Sequence, residues 1–260
     1  MFDKDTLTGH IKDQETVFKM RQIIDKAIIT QNKHIVSYTD FLDPYQRKMA
    51  ISILNRFDDI RYMESGGIDE AERKILAIFP DYMNSFDIGE GVEAILISSS
   101  EDGLMHKDYL GTILSLGIKR EKIGDIYIFP YSAILILKSE ITDFIMLNLQ
   151  KVRNAKVELR KIMKSEIVRQ EDEYLEESHF ISSFRLDSII SAAFKLSRNE
   201  SLEVIKSGLI KINHEKIDKA SKEVDEGDLI SVRGKGRVIL FKINGQSKKG
   251  RYNIVLRKLK

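Results

Sequence analysis

Residues 185–232 read RLDSIISAAFKLSRNESLEVIKSGLIKINHEKIDKASKEVDEGDLISV. This stretch predicts two short helices, a glycine-marked turn and then short strands. Leu186, Ile189, Ile190 and Ala193 recur at i, i+3, i+4 and i+7, which gives the first helix one apolar stripe. Ser197 can cap the second helix, and Glu200, three residues on, can complete a capping box. Leu202 and Ile205 supply that helix's apolar side. Gly208 is the expected C-terminal stop, because a left-handed residue costs glycine nothing.

The polar residues of the same stretch are placed against local helix stability. Arg185 opens the first helix and Arg198 the second, where a cation opposes the helix dipole. Two such placements suggest a second use. A polyanion across the two helix starts would gain from free N–H groups and from both guanidinium groups. Lys206 and Lys211 extend the basic surface around the turn. The alternative is that Arg185 pairs with Asp187 or a nearby carboxylate and only solubilises the surface. Sequence alone leaves both open.

The stretch resembles the small RNA-binding domain first described in ribosomal protein S-four. The matching residues are Arg185-Leu186-Asp187, Leu196-Ser197-Arg198, Ile205 to Gly208, Ile210 to Asn213 and Glu226-Gly227-Asp228. The resemblance implies RNA-contact roles for Arg185, Ser197, Arg198, Lys206 and Lys211, and structural roles for Gly208 and the Gly227-Asp228 turn. The family often has Ala where this chain has Ser201.

The whole chain has 260 residues, 42% hydrophobic and 32% charged, with three prolines and no cysteine. Disulfides, thiol nucleophiles and cysteine metal sites are excluded. A wholly apolar run such as Ala133 to Leu137 is far too short to span a bilayer, and the N-terminal stretch MFDKDTLTGH has no secretory pattern. A cytoplasmic protein is expected, a monomer without cofactor or metal. The net charge of +2 conceals an asymmetry. Residues 180–260 hold 18 Lys and Arg against 9 Asp and Glu, +9, and residues 1–179 hold 24 against 31, −7. The last third is suited to meet an anion.

The rest of the chain reads as α+β. Gln14 to Thr30 predicts a helix. Asp43 and Pro44 start another that runs to about Asn55. Ile60 to Met63 predicts a strand. Gly66-Gly67 breaks the chain, and a further helix is expected from Asp69 to about Pro80. Arg47, Lys48, Arg73 and Lys74 read as solvated helix faces, with phosphate contact as the alternative. Val92 to Ile162 gives the order βαββαβ, a ferredoxin-like split unit. Tyr127, Phe129 and Tyr131 alternate there. They could stack RNA bases or cover the sheet against the N-terminal helices, and the absence of RNP patterns favours covering. Lys119, Arg120 and Lys122 form a basic island in this acidic half, a candidate secondary RNA contact.

The phrases Asp40-Phe41-Leu42-Asp43-Pro44, Gly66-Gly67 with Glu72-Arg73, Leu116 to Asp125, and Arg185-Leu186-Asp187 are similar, in this order, to the bacterial YlmH family. That resemblance covers nearly the whole chain. It implies a cytoplasmic RNA-binding protein of Gram-positive bacteria. It also implies a setting in ribosome rescue or quality control at the large ribosomal subunit, with ribosomal and transfer RNA as partners.

Four segments are expected: 1–82, mixed; 83–165, ferredoxin-like; 166–179, an acidic connector or capping helix; and 180–260, the RNA-binding domain. In the tail, Val238 to Ile243 and Tyr252 to Leu256 predict antiparallel strands, with Asn244-Gly245 beginning the turn. Lys235 and Arg237 on a glycine-rich loop, and Lys248, Lys249 and Arg251 on the hairpin tip, are candidate phosphate contacts. The five histidines are scattered, and no HExxH, GxSxG or phosphate-loop pattern occurs, so no catalytic set is expected. An RNA-modifying enzyme with an unread active site and a scaffold that meets an acidic protein remain as alternatives.

Overall fold

Carboxylate caps set the N-terminal helices. Helix α1 (Lys4–Thr8) is capped by Asp3, and α2 (Gln14–Lys33) by Asp13, whose carboxylate accepts from Thr16 N–H at 2.9 Å. His34 ends α2 in the left-handed conformation. After β1 (Ser37–Tyr38), α3 (Pro44–Leu54) opens with Asp43 as cap and proline in the first turn, as the sequence predicts, and Gln46 completes a capping box. Strands β2 (Ile60–Ser65) and β3 (Ile75–Pro80) follow. The computed structural model describes residues 3–85, 88–169 and 173–259. The chain divides into two units, Met1–Gln170 and Glu171–Lys260.

Residues 75–80 correct one expectation. They are the middle strand of a sheet ordered β1-β3-β2, and all six are buried. A continuous apolar run that ends in proline suits a strand covered on both faces, not a helix with one polar side. The face of α2 formed by Met20, Ile23, Ile24 and Ala27 packs with Ala50, Ile53 and Leu54 of α3 and with Leu76 and Ile78 of β3.

The middle of unit 1 comprises β4 (Val92–Ser99), α4 (His106–Ser115), β5 (Ile123–Phe129), β6 (Ser132–Lys138), α5 (Ser139–Asn148), β7 (Lys151–Val152) and β8 (Ala155–Ile162). The sheet is antiparallel in the order β5-β6-β4-β8-β7, the βαββαβ arrangement with one short strand added. Strand β6 shows why its sequence is so apolar. Ala133, Leu135 and Leu137 meet α4 and α5, while Ile134 and Ile136 meet Phe41 and Ile75 from the N-terminal part. Fully burying a branched side chain is worth about 1.5–3 kcal/mol, so both faces of β6 stabilise the unit.

Tyr127 and Phe129 lie partly buried in that second layer, beside Phe41 and Ile75, and Tyr131 is exposed at a left-handed turn. The covering partners are therefore β3 and the segment before α3, not the N-terminal helices. Gly124 allows the close approach, since a Cβ there would come within 2.7 Å of the Phe41 ring. Arg73 ties the same layers together. Its guanidinium donates to the Phe41 carbonyl at 3.0 Å and the Ile123 carbonyl at 3.2 Å. Asp125 accepts from the backbone N–H of Glu72 at 2.7 Å and of Arg73 at 3.2 Å. Arg73 is thus no solvated helix face. Segments 1–82 and 83–165, expected separately, pack within one unit.

Unit 2 begins with β9 (Tyr174–Ile181), then α6 (Leu186–Phe194), α7 (Arg198–Lys206), β10 (Ile210–Ile212), β11 (Glu215–Lys216), β12 (Leu229–Val232), β13 (Gly236–Gln246) and β14 (Tyr252–Leu259). One antiparallel sheet runs β11-β10-β12-β13-β14-β9. Leu186, Ile189, Ile190 and Ala193 of α6 and Ile205 of α7 bury against its alternate residues, from Ile210 and Ile212 to Ile254 and Leu256. The capping box forms: Ser197 N–H donates to Glu200 at 2.7 Å and Glu200 N–H to the Ser197 hydroxyl at 3.2 Å. The buried Ser201 hydroxyl donates to the Ser197 carbonyl at 3.0 Å, so the serine in place of alanine is satisfied.

The acidic segment 166–179 differs from expectation. Glu171 and Asp172 lie outside the described residues, but Tyr174–Ile181 is neither connector nor capping helix. It pairs along its length with β14, and Glu176 holds Arg257 at 2.9 Å. An acidic strand beside a basic one gains Coulomb energy that composition alone does not reveal. Strand β13 also runs past Asn244-Gly245 with two register shifts, and the turn forms at residues 247–251.

Candidate nucleic-acid interface

The starts of α6 and α7 bring together part of the expected set. Arg185, in the N-cap position of α6, forks onto Asp187 through Nε at 3.1 Å and Nη2 at 2.9 Å. Asp187 is buried and also accepts from Ser188 N–H at 3.0 Å. The hydrogen bond from Arg185 holds the Asp187 carboxyl below the usual carboxylate range, and the charge of Arg198 adds to this. The pairing left open for Arg185 is thus real. Its side chain is still 42% exposed, and the fork uses two of its five N–H donors.

Arg198 is exposed and forms no hydrogen bond or ion pair among the described residues. The loop after β12 reaches the same region. Glu200 is held low first by its bonds with Ser197, then by the charge of Lys235. The charges of Arg198 and Lys235 thus bear on the carboxylates near the two helix starts, Asp187 of α6 and Glu200 of α7. A cation at its start costs α7 about 0.3–1 kcal/mol of dipole energy, a placement that a bound phosphate reverses.

The remaining expected residues do not stand at the helix starts. Lys206 sits in the last turn of α7, about 12 Å along the axis from Arg198, where it favours the dipole. Lys211 and Arg237 project from the sheet face opposite the helices, because their strand neighbours Ile210, Ile212 and Val238 fill the core. Lys248, Lys249 and Arg251 are exposed at the β13–β14 turn. The expected basic surface is divided among the helix starts, the outer sheet face and a hairpin tip.

The island in unit 1 changes most. Lys122 Nζ lies 2.7 Å from Asp40 and 2.6 Å from Glu140, and the buried Lys138 approaches the same carboxylates at 3.2 and 3.5 Å. Arg120 donates to the Ile123 and Gly124 carbonyls. Lys119 alone of the three is exposed. Lys242 and Arg257, which sequence reading did not single out, lie on the outer sheet face. Their signal was only the two-residue alternation of the tail strands. Among the described residues, no group of three or more His, Asp or Glu side chains is placed to hold a metal ion.

Three family models match the chain. One described as YlmH, N-terminal, matches residues 15–83, a putative RNA-binding domain in YlmH matches 98–166, and the S4 domain matches 184–230. A relative from Bacillus subtilis (strain 168), ribosome-associated protein quality control protein P2, is 30% identical over 253 residues, 96% of this chain and 98% of its own length. Among solved structures, cell division protein ylmH from Streptococcus pneumoniae superposes with a TM-score of 0.53 at 20% identity. It covers 61% of this chain and 95% of its own, a likeness of fold.

Proposed function

The chain belongs to the YlmH family, and from that premise we propose that it is a non-catalytic RNA-binding protein that works on the ribosome. The observation that carries this reading is that Arg185 and the exposed Arg198 open α6 and α7, inside the span that matches the S4 domain. The family relative named for ribosome-associated quality control supports the ribosomal setting. The finer reading is a cytoplasmic protein on the large subunit that contacts ribosomal and transfer RNA during ribosome rescue or quality control. Bulk affinity comes from phosphates held by unit 2. Unit 1 fixes orientation, with Lys119 as the solvent-facing member of its island. The match of residues 98–166 to a putative RNA-binding domain supports a contact from that unit.

The test measures binding of the full chain to a structured RNA hairpin across about 50 to 200 mM salt. A steep fall in affinity, lessened in Arg198→Ala, is expected. Affinity indifferent to salt and to Arg198 would sink the reading. Crosslinking in cells, followed by sequencing of the attached RNA, tests the finer part. Reads from large-subunit and transfer RNA are expected, and reads confined to messenger RNA would refute it.

A further inference from the structure

The sheet of unit 2 has two unlike faces. One is filled by α6 and α7 over Ile181, Ile210, Ile230, Val238, Leu240, Ile254 and Leu256. The residues between these point the other way, since side chains alternate along a strand. The register places Lys211, Arg237, Lys242 and Arg257 on that outer face, with Lys216 beside Lys211 on β11. Among the described strand residues of this face, Glu176 is the sole acid. Five cations against one carboxylate give the face +4.

The same face displays aromatic rings. A register shift between Leu240 and Lys242 inserts Phe241 as an extra residue, and a bulge of this kind re-aims a side chain. The Arg257 guanidinium lies over the Phe241 ring, 3.2 Å from its centroid, and 5.9 Å from the Tyr174 centroid. Glu176 fixes that guanidinium through Nε at 2.9 Å. Phe180 is 57% exposed on the same strand face, four residues or about 13 Å from Glu176. Exposed aromatic rings and a stacked guanidinium amid cations, over a length of several nucleotides, match what unpaired bases and their phosphates require.

We propose that this helix-free face binds single-stranded RNA, with bases stacked on Phe180 and on the Phe241–Arg257 pair and phosphates near Lys242 and Arg237. The inference rests on the RNA-binding reading above but uses a different surface, so the two can fail separately. Charge complementarity selects a polyanion, and the rings select one with flat faces. An acidic protein would need the charges alone.

The experiment uses the full chain and two labelled probes, an oligo-uridine of about 12 nucleotides and a structured hairpin. The double variant Phe180→Leu with Phe241→Leu keeps apolar volume and removes stacking. It should weaken oligo-uridine binding about fivefold or more and leave hairpin binding unchanged. Arg198→Ala should do the reverse. Ultraviolet crosslinking of oligo-uridine to the unaltered protein should mark the peptides that hold Phe180 or Phe241, whatever the variants' stability. The proposal is overturned if the double variant binds oligo-uridine like the parent, or if the crosslinks fall elsewhere. It is also overturned if Lys242→Glu and competing poly-glutamate abolish binding while the leucine variant does not, the result expected of an acidic protein partner. Loss of hairpin binding in the parent protein would instead overturn the broader RNA-binding reading.

Discussion

Lys122 in unit 1 and Arg198 in unit 2 look alike in the sequence, each a cation in a short basic cluster, and the structure uses them in opposite ways. Lys122 is held between Asp40 and Glu140 at 2.7 and 2.6 Å, the two carboxylates that also neutralise the buried Lys138. Arg198 stands exposed at a helix start where it costs helix energy. A run of like charge in a sequence therefore does not measure how much charge is available to a ligand. The same lesson holds for whole segments. Divided at residue 180, the chain carries +9 and −7. Divided between the two units, at residue 170, unit 2 holds 18 Lys and Arg against 14 Asp and Glu, +4, and unit 1 holds 24 against 26, −2. The acids that make the difference belong to β9 and the residues before it, and Glu176 is already paired with Arg257.

The contrast can be attacked where the largest effect is expected, in the internal network of unit 1. Arg73→Ala removes bonds to two carbonyls between layers. It should cost about 3 kcal/mol of stability, measured by urea unfolding, with hairpin binding at low denaturant unchanged. A variant of parental stability would show that the layers hold without the arginine.

The direct comparison comes next. Arg198→Ala should lose about 1–3 kcal/mol of RNA binding by titration, with a melting temperature close to the parent's. Lys122→Ala should do the opposite, losing stability and keeping hairpin affinity. If both variants lose only affinity, the division between internal and available cations is mistaken.

A smaller effect concerns pH. The hydrogen bond from Arg185 lowers the folded-state pKa of Asp187 below its ordinary value of 3.8. The stability that this contributes is complete above the unfolded value and is lost as pH falls through the lowered folded value. Asp187→Asn should therefore flatten the decline of stability below about pH 4 relative to the parent, read from melting curves in that range. An unchanged acid limb would mean the pair contributes nothing to folding.

The smallest is Lys119→Ala. It should reduce the salt slope of ribosome binding by no more than about one unit, with hairpin binding untouched, as measured by co-sedimentation. A larger change would mean that unit 1 supplies bulk affinity as well as orientation.

The sequence by itself determined the elements whose signals are local. The apolar stripe of α6, the cap at Asp43, the capping box at Ser197, the glycine after α7 and the βαββαβ order were all legible, because capping and periodicity act within a few residues. Tertiary structure decided the rest. Residues 75–80 became a strand because a second layer covers them on both faces. The acidic segment became β9 because a basic strand 78 residues away, from Tyr174 to Tyr252, offered it a partner. Lys122 was taken by Asp40, distant in sequence, and Lys211 and Arg237 were turned away from the helices by strand register. Each of these outcomes depends on which residues meet across the fold, and Coulomb and packing energies act on distance in space, not on distance along the chain.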